Sequence, residues 1–163
     1  MLYHNMEKAF ERHDHSECAG QALARADELA AAQGLRLTPV RRRVLEILLE
    51  GHRALGAYEV LERLAAEGLG KQPPVAYRAL EFLVEHGLAH RVQRLNAFTA
   101  CQAHHDAGAP PAFLICRECQ SVAELDAAAL RESMAQQAAP SGFRLERATF
   151  EALGLCSACA EAG

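Results

Sequence analysis

The chain has 163 residues, half of them hydrophobic, with 6% aromatic and no Trp. That is enough for one large or two small domains with Ala, Leu and Val cores, and 23% charged residues exclude a disordered or collagen-like chain. No apolar run approaches the ~20 residues of a membrane helix, and MLYHNMEKAF has no hydrophobic signal core. A soluble, cytoplasmic protein with no membrane association is expected. The formal net charge of −4 is unevenly spread: from Arg36 to Arg94 ten Lys and Arg face seven Asp and Glu, and from Phe98 onward four Arg face eight acids. A mildly basic first half and an acidic second half suggest two domains with different partners.

Residues 1–17 are polar and His-rich and read as a flexible N-terminal extension. Ala22, Leu23, Ala26, Leu29 and Ala30 then repeat at helical spacing, which predicts a helix over Cys18 to Gln33, ended by Gly34. Thr38-Pro39 is a start signal, a hydroxyl cap followed by a residue with no N–H, for a second helix running to Gly51. A third helix fits Ala57 to Glu67. Pro73-Pro74 opens a fourth, ended by Gly87, with Val75, Ala79, Phe82, Leu83 and His86 on its apolar stripe and Tyr77, Arg78, Glu81 and Glu85 off it. Alternation over Leu88 to Val92 and Ala97 to Cys101, around a turn at Arg94 to Asn96, predicts a β-hairpin.

Three helices and a hairpin at the end of this series predict a winged helix-turn-helix domain over 18–101. A Gly-, Pro- and His-rich linker follows at 102–111. The remainder, 112–163, reads as a small α/β dimerisation domain: strands at Ala112 to Cys116 and Ser121 to Leu125, a helix capped by Asp126 and reaching Ala138, a break at Gly142, and a strand from Phe143 to Ala152. The expected fold class is α+β.

Six Cys and eight His in a reducing compartment point to metal or redox chemistry rather than disulfides. Cys116-Arg-Glu-Cys119 and Cys156-Ser-Ala-Cys159 are CxxC pairs separated by 36 intervening residues. Two such turns supply the closed tetrahedral sulfur shell that Zn²⁺ favours, a structural site whose binding energy is folding energy. The rival reading, a redox dithiol, needs a CxxC at a helix N-terminus, and neither pair is predicted to sit there. His90, Cys101, Glu124 and one of His104 and His105 form a second, mixed-ligand set drawn from both domains, so occupancy would act as a switch. His13-Asp-His15-Ser-Glu17-Cys18 admits a third ion, although solvated polar chain is the plainer reading. His15-Ser16-Glu17 also matches half of a zinc-deaminase signature, but Ile115 and Leu155 stand where that motif needs Pro.

A winged helix places its last core helix in the major groove. Tyr77 and Arg78, off the apolar stripe near the start of that helix, are the candidate base readers, since Arg forks onto guanine and Tyr reaches a thymine methyl or a phosphate. Arg41, Arg42, Arg43, Arg91 and Arg94 are candidate phosphate contacts, with a solvated helix face the alternative for the first three. The basic excess is modest, so a homodimer on palindromic double-stranded DNA fits better than a lone domain.

RLTPVRRRVLEIL (Arg36 to Leu48), AYEVLERL (Ala57 to Leu64), PPVAYRALEFLVEHGLAHRV (Pro73 to Val92), FLICRECQSVAEL (Phe113 to Leu125) and GLCSAC (Gly154 to Cys159) carry a resemblance. Over nearly its whole length the chain resembles the ferric-uptake-regulator (Fur) superfamily, and within it the zinc-uptake regulators. The resemblance implies a cytoplasmic homodimeric repressor that binds palindromic operators when zinc is abundant and silences zinc-uptake genes. It implies a structural zinc at Cys116, Cys119, Cys156 and Cys159, a regulatory zinc at His90, Cys101 and Glu124, and DNA reading by Tyr77 and Arg78. Two zinc ions per chain are expected.

The chain departs from the family pattern at Val75, where Thr is usual, and at Ala109, where the fourth regulatory His usually stands. His105 or His104 must replace that ligand, His105 slightly favoured. The His-rich run usual before the first CxxC is absent, with Pro111, Ala112 and Phe113 in its place, which argues against iron and peroxide sensors. The rival functions are an iron-sensing regulator, a zinc-storage protein, which needs no Tyr77 or Arg78, and a zinc-dependent enzyme, which needs an open metal position.

Overall fold

Asp14 starts the first helix. Its carboxylate accepts the Ser16 N–H at 2.9 Å, and α1 runs His15–Gln33 in this computed structural model, which describes residue 10, residues 14–102 and residues 111–163. The helix therefore begins three residues before its predicted start at Cys18, and His15 to Glu17 leave the predicted extension. Gly34, at φ 64°, closes it in the left-handed conformation that a residue without Cβ adopts freely. The Thr38 hydroxyl accepts the Arg41 N–H at 3.4 Å and caps α2, Pro39–Leu48. Glu59 accepts the Gly56 N–H at 2.9 Å at the head of α3, Ala57–Ala66. The double proline opens α4, Pro73–Glu85.

The three helices α2 to α4 meet on Val44, Leu45, Ile47 and Leu48, on Val60 and Leu64, and on Ala76, Ala79, Leu80 and Leu83, with Ala26 of α1 against them. The buried face of α4 thus centres on Ala76 and Leu80. The predicted stripe is corrected at its margins: Val75, Phe82 and His86 are only half-buried. Small Ala76 and Ala79 let the neighbouring helices approach closely, which leaves the bulkier residues at the rim.

Strands β1 (Ala89–Val92) and β2 (Ala97–Ala100) form the antiparallel hairpin, pairing His90 with Thr99 and Arg91 with Phe98. Asn96 holds the turn at φ 45°, a conformation Asn tolerates. Leu55 and Phe98 exchange both backbone hydrogen bonds at 2.8 Å, a single bridge that ties the segment before α3 to this wing. These elements lie within one compact unit, Arg12–Gln102.

The second unit, within Ala103–Gly163, is built on a three-stranded sheet. Central β3 (Ala112–Cys116) pairs antiparallel with β4 (Val122–Leu125) and parallel with β5 (Phe150–Gly154). Asp126 accepts the Ala128 N–H at 2.9 Å ahead of α5, Ala128–Ala138, and Gly142 at φ 75° ends the short 3-10 turn that follows. The strand predicted from Phe143 forms only from Phe150. Its template is the five residues of β3, from Ala112 opposite Phe150 to Cys116 opposite Gly154, and 143–149 take no regular structure. A five-residue helix, α6 (Ser157–Glu161), closes the chain.

Candidate metal centres and nucleic-acid interface

Parallel pairing of β3 with β5 sets Cys116 opposite Gly154, two residues before Cys156, so both CxxC pairs arrive at one end of the sheet. The first pair sits on a tight turn: the Gln120 N–H donates to the Cys116 carbonyl and the Cys116 N–H to that of Ser121, both at 3.0 Å, with Gln120 at φ 60°. The Arg117 N–H donates to the Gly154 carbonyl at 2.9 Å and ties this turn to β5. All four sulfurs lie within 4.8 Å of one another, and the Cys119 and Cys156 Sγ atoms are 3.9 Å apart.

A tetrahedral shell of about 2.3 Å Zn–S bonds sets its sulfurs about 3.8 Å apart, whereas a disulfide holds them at about 2 Å. The cluster therefore has the spacing of metal ligands, and its four soft donors fit Zn²⁺. Burial disfavours the Cys116 thiolate, but the N–H groups of Cys156, Cys119 and Glu118 and the Cys119 thiol outweigh it and bring Cys116 down to about 6. Cys159 is pushed up to about 12 by its hydrogen bond with Cys156, by burial, and by the thiols and the charge beside it.

One expectation is corrected here: the second CxxC does occupy a helix N-terminus, with Cys156 as the N-cap of α6. A helix of five residues carries too little periodicity to be seen in the sequence. The redox reading gains nothing from it, because the four sulfurs converge as one group.

In the first unit, His90 projects from β1, and the Cys101 N–H extends the hairpin ladder by donating to the Leu88 carbonyl at 2.9 Å. A His90 ring nitrogen and the Cys101 Sγ lie within 4.8 Å, and both residues are half-buried. Glu124 is half-buried on β4, opposite Phe113. His104 and His105 lie outside the described residues, as does His13. Cys18 is half-buried on α1.

Tyr77 and Arg78 both face solvent near the start of α4, and Tyr77 remains 39% exposed despite its size. The Arg78 guanidinium enters no ion pair among the described residues. On the wing, Arg91 donates to the Asn96 side chain at 2.7 Å and lies 5.8 Å from the centre of the Phe98 ring, while Arg94 is exposed in the turn.

The three arginines of α2 are otherwise engaged. Arg41 lies 3.6 Å over the Phe82 ring and donates to the Arg36 carbonyl at 2.7 Å. Arg42 forks onto Asp27 at 2.6 and 3.2 Å and lies 3.6 Å from Glu46. Arg43 forks onto Glu67 at 2.7 and 2.8 Å and also meets Glu46 and Glu50. The hydrogen bond from Arg43 lowers the Glu67 carboxyl below its ordinary range, and the same bond raises Arg43. The neighbours Glu46, three and four residues along the helix, were visible in the sequence; Asp27, Glu67 and Phe82 are tertiary partners that no local pattern announces.

Residues 32–153 match the sequence profile of the ferric uptake regulator family. The chain belongs to the ferric uptake regulator family. This family member is 36% identical over 141 residues to the zinc uptake regulation protein of Escherichia coli (strain K12), across 86% of this chain and 82% of that one, and the Shigella flexneri protein gives the same figures. Its fold is similar to a solved zinc uptake regulator complexed with zinc and DNA, with a TM-score of 0.81 and 35% identity over 88% of this chain and 96% of that chain. The holo form of XcZur follows at a TM-score of 0.75 and 34% identity, covering 85% and 96%. The α+β architecture, a winged helix followed by a smaller α/β unit, is the one these family members share.

Proposed function

We propose that the protein is a zinc-responsive transcriptional repressor that binds palindromic operator DNA as a zinc-loaded dimer and silences zinc-uptake genes. The observation that carries this reading is the meeting of His90 and Cys101 on the hairpin of the same unit that exposes Tyr77 and Arg78. Metal ligands built into the wing make DNA reading answer to an ion. Relatives that are zinc uptake regulators, one solved with zinc and DNA, support it.

Cys116, Cys119, Cys156 and Cys159 hold the structural zinc in this reading. His90, Cys101 and Glu124, with His105 or His104, hold the sensed one, giving two ions per chain. Tyr77 and Arg78 contact bases, and Arg91 the phosphate backbone. Occupancy of the sensing ligands favours the arrangement whose half-site spacing fits the operator, a population shift. A thiolate among these ligands favours zinc over Fe²⁺, and four sulfurs with no open position suit structure rather than catalysis. The dimer is supported by the second unit's uncovered apolar residues: Leu130 and Met134, four apart on α5, Leu153 on the edge strand β5, and Phe143 at 63% exposure. A regulator of genes works in the cytoplasm, and no described helix is long and apolar enough to cross a membrane.

The test is capture of sheared genomic DNA by the purified protein under buffered zinc, buffered ferrous iron or chelator, followed by sequencing. A shared palindrome near zinc-import genes, enriched under zinc alone, is the expected result. Enrichment under iron alone favours the iron-sensing alternative, and no specific retention removes the repressor reading.

A further inference from the structure

Successive residues of an α-helix point about 100° apart, so three in a row face three directions. Arg41, Arg42 and Arg43 each reach a different helix: Arg41 covers Phe82 of α4, Arg42 forks onto Asp27 of α1, and Arg43 forks onto Glu67, the C-cap of α3. Glu50, two residues past the end of α2, is shared between Arg43 and Arg63 of α3. The helix that bears the triplet is thereby tied to every other described helix of its unit. A basic triplet beside a DNA reader suggests a phosphate clamp, but a guanidinium forked onto a carboxylate already has its paired donors engaged and its charge balanced locally.

We infer that Arg41, Arg42 and Arg43 are positioning residues that hold α4, with Tyr77 and Arg78, in place for base reading, and that Arg42 and Arg43 do not clamp DNA phosphates. This rests on the DNA-binding reading above and deepens it. Arg41 acts on α4 directly: Phe82 lies on the same helix as Tyr77, and its ring is 4.5 Å from that of His86. Arg43 acts through Glu67, which immediately precedes the turn that leads into α4.

The discriminating variant removes an acid. Zinc-loaded protein is titrated with the captured palindrome and with a scrambled duplex of the same composition, between about 50 and 200 mM salt. If Arg43 positions α4, Glu67→Gln weakens palindrome binding about three- to tenfold and leaves the scrambled duplex unchanged, a loss of specific contacts alone. If Arg43 clamps phosphate, Glu67→Gln frees it, removes a negative charge, and tightens both. Arg43→Gln, which also loses Glu46 and Glu50, should cost at least as much as Glu67→Gln, the double variant should add nothing beyond Arg43→Gln, and Arg43→Lys, which keeps the charge but not the fork, should fail to rescue. Asp27→Asn and Arg41→Met test the other two arms with the same expected pattern.

Asp27 and Glu67 are exposed and Arg41 and Arg43 half-buried, so a thermal melt checks that each variant folds, and the acid and base variants back one another up. Two results overturn the inference: palindrome binding unchanged or tighter in Glu67→Gln, or a salt slope for Arg43→Gln that falls by about 0.9 per lost phosphate contact on both duplexes alike. Wild-type protein that shows no preference for the palindrome overturns the DNA reading and this inference together. Wild-type preference with a clamp pattern in the variants overturns the inference alone.

Discussion

Cys101 and Cys116 are both thiols assigned to zinc, and their loss should look different. Cys101 closes the hairpin beside His90, where β1 and β2 hold the backbone whether or not metal is bound. Cys101→Ser is therefore expected to give a folded dimer whose DNA binding no longer responds to zinc, read by circular dichroism, sedimentation and titration of the captured duplex. Zinc-dependent repression by that variant would remove Cys101 from the sensing site. Cys116, by contrast, is buried at the end of β3, where it accepts the Cys156 N–H, so Cys116→Ser should cost the second unit its fold and appear as lost structure or aggregation.

The thiols also set a pH dependence. Cys116 is held at about 6, below the ordinary thiol value, so its stabilising contribution is full above that ordinary value and lost as pH falls through about 6. Cys159, pushed up to about 12, must give up a proton when metal binds. Both effects act in one direction: zinc retention against a competing chelator should weaken steadily from pH 8 toward pH 5.5. Retention independent of pH would contradict thiolate ligation. At this scale the sequence announced the four Cys plainly, because CxxC spacing is itself the geometry of a metal turn. It did not announce what Arg41, Arg42 and Arg43 touch, since Phe82, Asp27 and Glu67 are distant along the chain.

Among the elements, α4 shows where pattern and packing part. Its existence was legible from Pro73-Pro74 and its period, but its buried face was misjudged at Val75, Phe82 and His86, because periodicity weighs a side chain's hydrophobicity and not the room beside it. Val75, partly buried against the core, also packs on the loop ahead of its own helix: a Cβ at Gly70 would sit 2.8 Å from Val75 Cγ1, and Gly70 is held at φ 152°. Gly70→Ala should thus destabilise the first unit by about 1–3 kcal/mol, measured by urea unfolding of the zinc-loaded protein. An unchanged midpoint would show that this loop does not constrain the start of α4. The strand predicted from Phe143 was legible only in part, since 143–149 take no regular structure and pairing starts at Phe150. A β-prone stretch becomes a strand where a partner runs alongside, and the part that does so here is the one paired with the five residues of β3.

For the molecule as a whole, the two-part organisation was legible as a shift in charge and chemistry: a basic stretch rich in helix signals, then an acidic one carrying paired Cys. The parallel register was not, since nothing local in Ala112 to Cys116 names Phe150 to Gly154 as its neighbour. That register brings the two CxxC pairs together, so that an ion bound there, as proposed, would clasp the intervening chain into a ring. A protease cutting within 143–149, which is free of regular structure, would make two polypeptides but not two molecules. The pieces should migrate together on a sizing column, show as two bands in denaturant, and come apart in native buffer only when a chelator opens the clasp; separation without chelator would mean that the sulfurs do not share a metal.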